Sequence, residues 1–155
     1  MRPAAAPGIN ATKIDLRKSL LETPAINERV KQLPLSHIEG SAWRAAPCSG
    51  NGRSTADVAT HIHGRRPMWL SAADQTTNLP AKRDHDQAKR AEVQADLKMS
   101  SAAILGLLTR VDAGEVPLCE THGVAFTNCG IAHDSRHRRQ IAIFARQRRE
   151  CGFGK

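Results

Sequence analysis

The sequence predicts an all-α protein, a four-helix bundle, and three observations carry that prediction. Apolar residues recur at helical spacing in four segments, no segment alternates polar and apolar residues as a half-buried strand does, and 155 residues make one typical domain. Residues 1–155 are expected to form a single unit, with about the first 12 and the last 6 residues loosely held.

The first helix spans roughly Leu16 to Leu33. Pro24 lies inside it, and an interior proline costs about 3 kcal/mol. The segment is therefore expected to kink there, or to begin at Thr23-Pro24 as a shorter helix turning Ile26, Val30 and Leu33 inward. The second helix starts at Ser54, an N-cap with Asp57 three residues on, and runs to about Asp74 with Val58, Ile62, Met68 and Trp69 near one face. From Gln75 to Arg83 there is no periodicity and there is a proline, so this stretch is a connection long enough to cross over rather than a tight hairpin.

Asp84, with Gln87 three residues later, is expected to open the third helix, in which Leu97, Ile104, Leu108 and Val111 repeat until Gly114 ends it. The fourth runs from about Gly123 to Arg149, with Phe126, Ile141 and Phe144 on one stripe. His133 and His137 fall on that same stripe.

Hydrophobic residues make up 40% and charged ones 25%, an ordinary globular balance, while aromatics are 3% and tyrosine is absent, so the core must be mostly aliphatic. No run of about 18 apolar residues and no signal-like apolar stretch after Met1 is present, so a soluble, cytoplasmic protein without membrane contact is expected. Cys48, Cys119, Cys129 and Cys151 form no C-x-x-C pair and read as free thiols of a reducing compartment.

A net charge of +8 admits a nucleic-acid partner, and Arg136, Arg138, Arg139, Arg146, Arg148 and Arg149 would supply phosphate contacts. Against that, these arginines spread around the helix, stacking aromatics are scarce and no helix-turn-helix pattern is evident. Nucleic-acid binding is an alternative reading.

The chemistry lies in the histidines. His133 and His137 are four apart, which on a helix sets their Cβ atoms about 5–6 Å apart on one face, a span suited to two ligands of one metal. Two imidazoles turned into a core need partners, since an unpaired buried polar group costs about 1–3 kcal/mol, and a shared cation satisfies both. His61, three residues after Val58, is the inward candidate for a third ligand, whereas His63 points elsewhere and reads as a rim or surface residue. His37 and His85 read as loop histidines.

A competing set, Cys119, His122, Cys129 and His133, has ligand types and spacing for a closed zinc site, although Cys129 also reads as a small core residue. Trp69 is expected to fill the bundle beside the site and Trp43 to pin the connection before the second helix.

Several strings resemble the DinB-like superfamily: Trp43-Arg44-Ala45-Ala46-Pro47, Gly52-Arg53-Ser54, His61-Ile62-His63-Gly64-Arg65-Arg66-Pro67-Met68-Trp69-Leu70, and Val124-Ala125-Phe126. Ile131 through Ile141 is similar to that family's His-x-x-x-His-x-x-Gln-Ile pattern. The resemblance covers roughly residues 16 to 149 and is specific in the second and fourth helices.

It implies a DinB/YfiT-like bundle with a long crossover between its second and third helices, a divalent ion, zinc or nickel, on His61, His133 and His137, and a homodimer. It also implies an activity of the metal-dependent thiol S-transferase or hydrolase class on a small-molecule substrate, with a low-molecular-weight thiol as cosubstrate. Three protein ligands leave a position for substrate, and a coordinated thiol becomes a nucleophile without a dedicated base.

Pro24, Arg136, Arg139 and the tail from Arg149 to Lys155 depart from the family pattern. Arg139 lies about 200° around the helix from His137 and should face solvent, while Arg136 and Arg138 flank the ligand and are expected to line an entrance. Asp134 points about 100° away from His133, so it is expected to act behind the ligand or to be a surface acid. A metal that only stabilises the bundle is the non-catalytic alternative.

Overall fold

A computed structural model of the chain describes residues 15–47, 50–74, 81, 83–84, 86–117 and 123–152. Four helices follow one another: α1 (Leu16–Ser36), α2 (Thr55–Ala73), α3 (Arg90–Asp112) and α4 (Gly123–Gly152), with a 3-10 turn at Gly40–Ala42 and no strand among the described residues.

The helix starts are written in local chemistry. Asp15 caps α1 by accepting from the Lys18 amide at 3.0 Å. At α2 the expected capping box is complete: Ser54 Oγ accepts from the Asp57 amide at 3.1 Å and Asp57 Oδ2 accepts from the Ser54 amide at 2.8 Å. Gly52, just before this cap, sits at φ 128°, a conformation L side chains avoid, and a Cβ there would come within 3.2 Å of Pro47.

The start of α3 is later than expected, at Arg90. Asp84 closes a turn by accepting from the Asp86 amide at 2.9 Å, so the cap-like signal served a turn instead.

Pro24 neither splits nor shortens α1, which runs unbroken from Leu16 to Ser36 with Pro34 also inside it. Each proline leaves the carbonyl four residues back without its helical donor, so packing has to hold this helix together. The inward face is not the expected one. Ile26, Val30 and Leu33 are 48%, 43% and 62% exposed, while Pro24, Lys31 and Leu35 are buried. The apolar pattern misleads because a lysine takes the core position.

Around the bundle, α1 packs on α3 and α4, and α2 packs on the same two helices. Directions follow from the cross-links. Gln32 of α1 donates to the Gln94 carbonyl of α3 while Arg17 pairs with Asp112, so α1 and α3 are antiparallel. Arg66 of α2 meets Leu97 and Ser100 of α3 while Asp74, just past α2, pairs with Arg110, so α2 and α3 run the same way. Between them, the Ala81 carbonyl bonds His63 of α2, and the Ala88 carbonyl accepts from Trp43 Nε1 at 3.0 Å. Trp43 thus pins the approach to α3 as well as that to α2.

The core has two apolar parts. One gathers Leu35, Trp43, Val58, Ile62, Leu97 and Ile141; the other centres on Leu70, Leu107 and Val116 with Phe126 against it. A buried ionic layer completes the interior. Lys31 Nζ lies 2.9 Å from Glu28 and 2.8 Å from Asp134, and Arg66 Nη2 lies 2.9 Å from the same Asp134 oxygen. Asn27 donates to that oxygen at 3.0 Å, and Arg66 Nη1 donates to Leu97 O and Ser100 Oγ, both at 2.8 Å. Two cations and two carboxylates cancel, as buried charge requires. No described helix is long and apolar enough to cross a membrane.

Candidate metal centre

His61 is carried early in α2, while His133 and His137 lie one turn apart in the middle of α4. Because α2 and α4 pack together, the three rings converge. Their centroids lie 5.5 Å apart for His61 and His133, 4.7 Å for His61 and His137, and 4.5 Å for His133 and His137. One ligand atom from each can be chosen so that all three lie within 4.8 Å of one another. A tetrahedral zinc with bonds of about 2.0–2.1 Å requires nitrogens about 3.4 Å apart, a gap that small imidazole rotations close. The donor set, three nitrogens and no carboxylate, fits zinc, nickel or another nitrogen-seeking divalent ion.

The far edges of two rings are tied. His137 Nδ1 donates to Gln140 Oε1 at 2.7 Å, leaving its Nε2 lone pair for the centre. His133 Nδ1 stands 3.4 Å from Asp134 Oδ1, whose other oxygen is held by Lys31, Arg66 and Asn27. Trp69 packs edge-on against His133 at 4.9 Å, beside the site as expected.

Burial and nearby charge disfavour the protonated form of two of these rings, His61 and His137. Burial, then the charges of His137, Arg53, Arg65 and His133, lower the pKa of His61 to about 4. Burial also lowers His137, opposed by its bond to Gln140 and reinforced by His133, Arg136 and Arg53. Near pH 7 both imidazoles offer lone pairs, the form a metal needs.

Other expected placements change. His63 is buried, not at the rim, because Ala81 lies against it: its Nε2 meets the Ala81 carbonyl at 2.8 Å and its Nδ1 has no partner among the described residues. Met68 is exposed, rotated off the Val58–Ile62 face. Cys129 is exposed and not a core residue, because it lies on the outer side of α4. The rest of the competing zinc set, Cys119 and His122, lies outside the described residues, as do Cys48, His85 and the side chains of Arg149 and Cys151.

Arg138 does not line an entrance. It turns to α1, with Nη2 3.1 Å from Ser135 Oγ and Nη1 3.4 Å from Asn27 Oδ1. Arg136 and Arg139 are exposed, as is His37, which bonds back to Leu33. Asp134 is no surface acid but the hub of the ionic layer.

No family model, curated protein or solved structure matches the chain.

Sequence reasoning missed Arg53 and Arg65, whose charges reach His61, and the cavity of about 30 Å³ bounded by Asn27, Arg66, Trp69, Phe126 and Asp134. That volume admits a water or two beside the wall that Trp69 presents to His133.

Proposed function

We propose that this chain is a divalent-metal-binding protein of the DinB-like kind, with His61, His133 and His137 as ligands. It would act on a small-molecule substrate as a metal-dependent thiol S-transferase or hydrolase. The observation that carries the reading is the convergence of three imidazoles from two helices on one point. The matching of α2 and α3 in direction further supports the crossover of such a bundle.

Within this reading the ion supplies Lewis acidity toward a thiol or a water. The chain's own residues do the rest. Gln140 fixes the ring of His137, Asp134 stands behind His133, and Trp69 closes one side of the site. His61 and His133 are only half-buried, which favours an open, working site over a sealed structural one.

Metal content and affinity of unchelated protein, measured beside His61→Ala, His133→Ala and His137→Ala, test the proposal. About one ion per chain, lost or weakened in each variant, is expected. Wild type that retains no ion at micromolar zinc or nickel overturns it. Thiol-transfer assays on loaded protein then separate a working site from a bundle merely stabilised by metal.

A further inference from the structure

The arginines divide into two groups. Arg17, Arg66, Arg83, Arg110 and Arg146 pair with carboxylates, and Arg44, Arg90 and Arg138 bond to backbone or side-chain oxygens. The others are exposed with no hydrogen bond or ion pair among the described residues: Arg29, Arg139 and Arg148, which stand apart, and Arg53, Arg65 and Arg136. These three surround the histidines. Arg65 is one turn after His61 on the same face of α2, Arg136 directly precedes His137, and Arg53 is close enough to act on both His61 and His137.

The nearby carboxylates are already committed. Asp57 closes the capping box of α2, and Asp134 is buried between Lys31 and Arg66. The mouth of the site thus carries three guanidinium charges with no carboxylate paired to them among the described residues. Three planar donor forks around the histidine cluster make a receptor for an oxyanion, which guanidinium groups grip in bidentate fashion.

Building on the metal-centre reading, we infer that the site takes a small substrate bearing a carboxylate or phosphate, its oxyanion held by Arg53, Arg65 and Arg136 and its reacting group turned to His61, His133 and His137. The anion is a recognition handle, so its binding does not require the ion.

The test is calorimetric titration of the full chain, metal-free and zinc-loaded, with inorganic phosphate and separately with malonate at low ionic strength. Arg53→Gln, Arg65→Gln and Arg136→Gln are compared with Arg139→Gln, another exposed and unpaired arginine on α4. All four side chains are solvated, so the variants fold alike. Each of the first three should weaken the preferred anion about fivefold in metal-free protein, and Arg139→Gln should leave it unchanged. Preference between phosphate and malonate identifies the handle.

An equal response from Arg139→Gln, or none from the first three, overturns the inference, since the anion is then collected by the net charge of +8 alone. The two proposals fail separately. Arginine-dependent anion binding in a chain that holds no metal sinks only the metal reading, and metal binding without arginine-dependent anion binding sinks only this one.

Discussion

Lys31 offers the sharpest perturbation of this bundle. Its side chain is 1% exposed and sits between Glu28 at 2.9 Å and Asp134 at 2.8 Å. Lys31→Ala leaves the ionic layer with Arg66 alone against Glu28 and Asp134. Breaking a buried pair costs about 3–5 kcal/mol, chiefly through the charge left unpaired. Here the lower end applies, because Asp134 keeps Arg66 and Asn27 while Glu28 keeps Gln32 at 2.6 Å. About 3 kcal/mol translates to a Tm lower by roughly 6–12 °C in a chain of this size.

Urea unfolding followed by circular dichroism measures this directly. Lys31→Met separates charge from volume: it fills the space and should lose almost as much as Lys31→Ala. Combined with Asp134→Asn it should recover at least about 1 kcal/mol relative to the sum of the two single changes. A loss below about 1 kcal/mol in Lys31→Ala, or strict additivity in the double variant, would refute the ionic layer as a coupled unit.

Three further outcomes are expected. The pKa of His61 is about 4 in the folded chain and near ~6.5 unfolded, so below pH ~6.5 the unfolded state binds the extra proton. Stability of the metal-free protein should thus be full above that pH and decline as pH falls toward 4, and urea midpoints in which His61→Ala keeps the wild-type slope would remove His61 as the cause. Asp134→Asn should weaken zinc about 10- to 100-fold in a chelator competition by loosening the group behind His133, and unchanged affinity in a folded variant would rule out that role. Gly52→Ala should destabilise the chain by at least about 1 kcal/mol, because its φ of 128° and the nearby Pro47 both oppose a Cβ; thermal melting at wild-type Tm would contradict this.

Much of the plan was legible in local signals. Ser54 and Asp57 fix the start of α2 through bonds spanning three residues, and the four-residue spacing of His133 and His137 sets them on one face of α4. These depend on neighbours along the chain. Lys31, Arg66 and Asp134 could not be read this way, since each is inside only because partners on other helices neutralise it. Their burial displaced Ile26, Val30 and Leu33 to the surface, against the apolar pattern of α1. His63 was misread for a related reason, its cover being contributed by Ala81, eighteen residues on. Arg65 was visible at i+4 from His61, but nothing in the sequence tells an unpaired arginine from a paired one.

The ionic layer also acts as a detent. Leucine surfaces tolerate sliding, since one apolar side chain substitutes for the next at little cost, whereas moving α1 by one turn along α4 would carry Lys31 about 5 Å away from Asp134. Intermediate offsets would leave charges stranded, so the allowed alignments are discrete. Asp134 is the residue next to His133, and Arg66 lies five beyond His61 on α2. The helices that present the three imidazoles are therefore locked in phase by the same carboxylate, and the height at which the rings meet is set before any ion arrives.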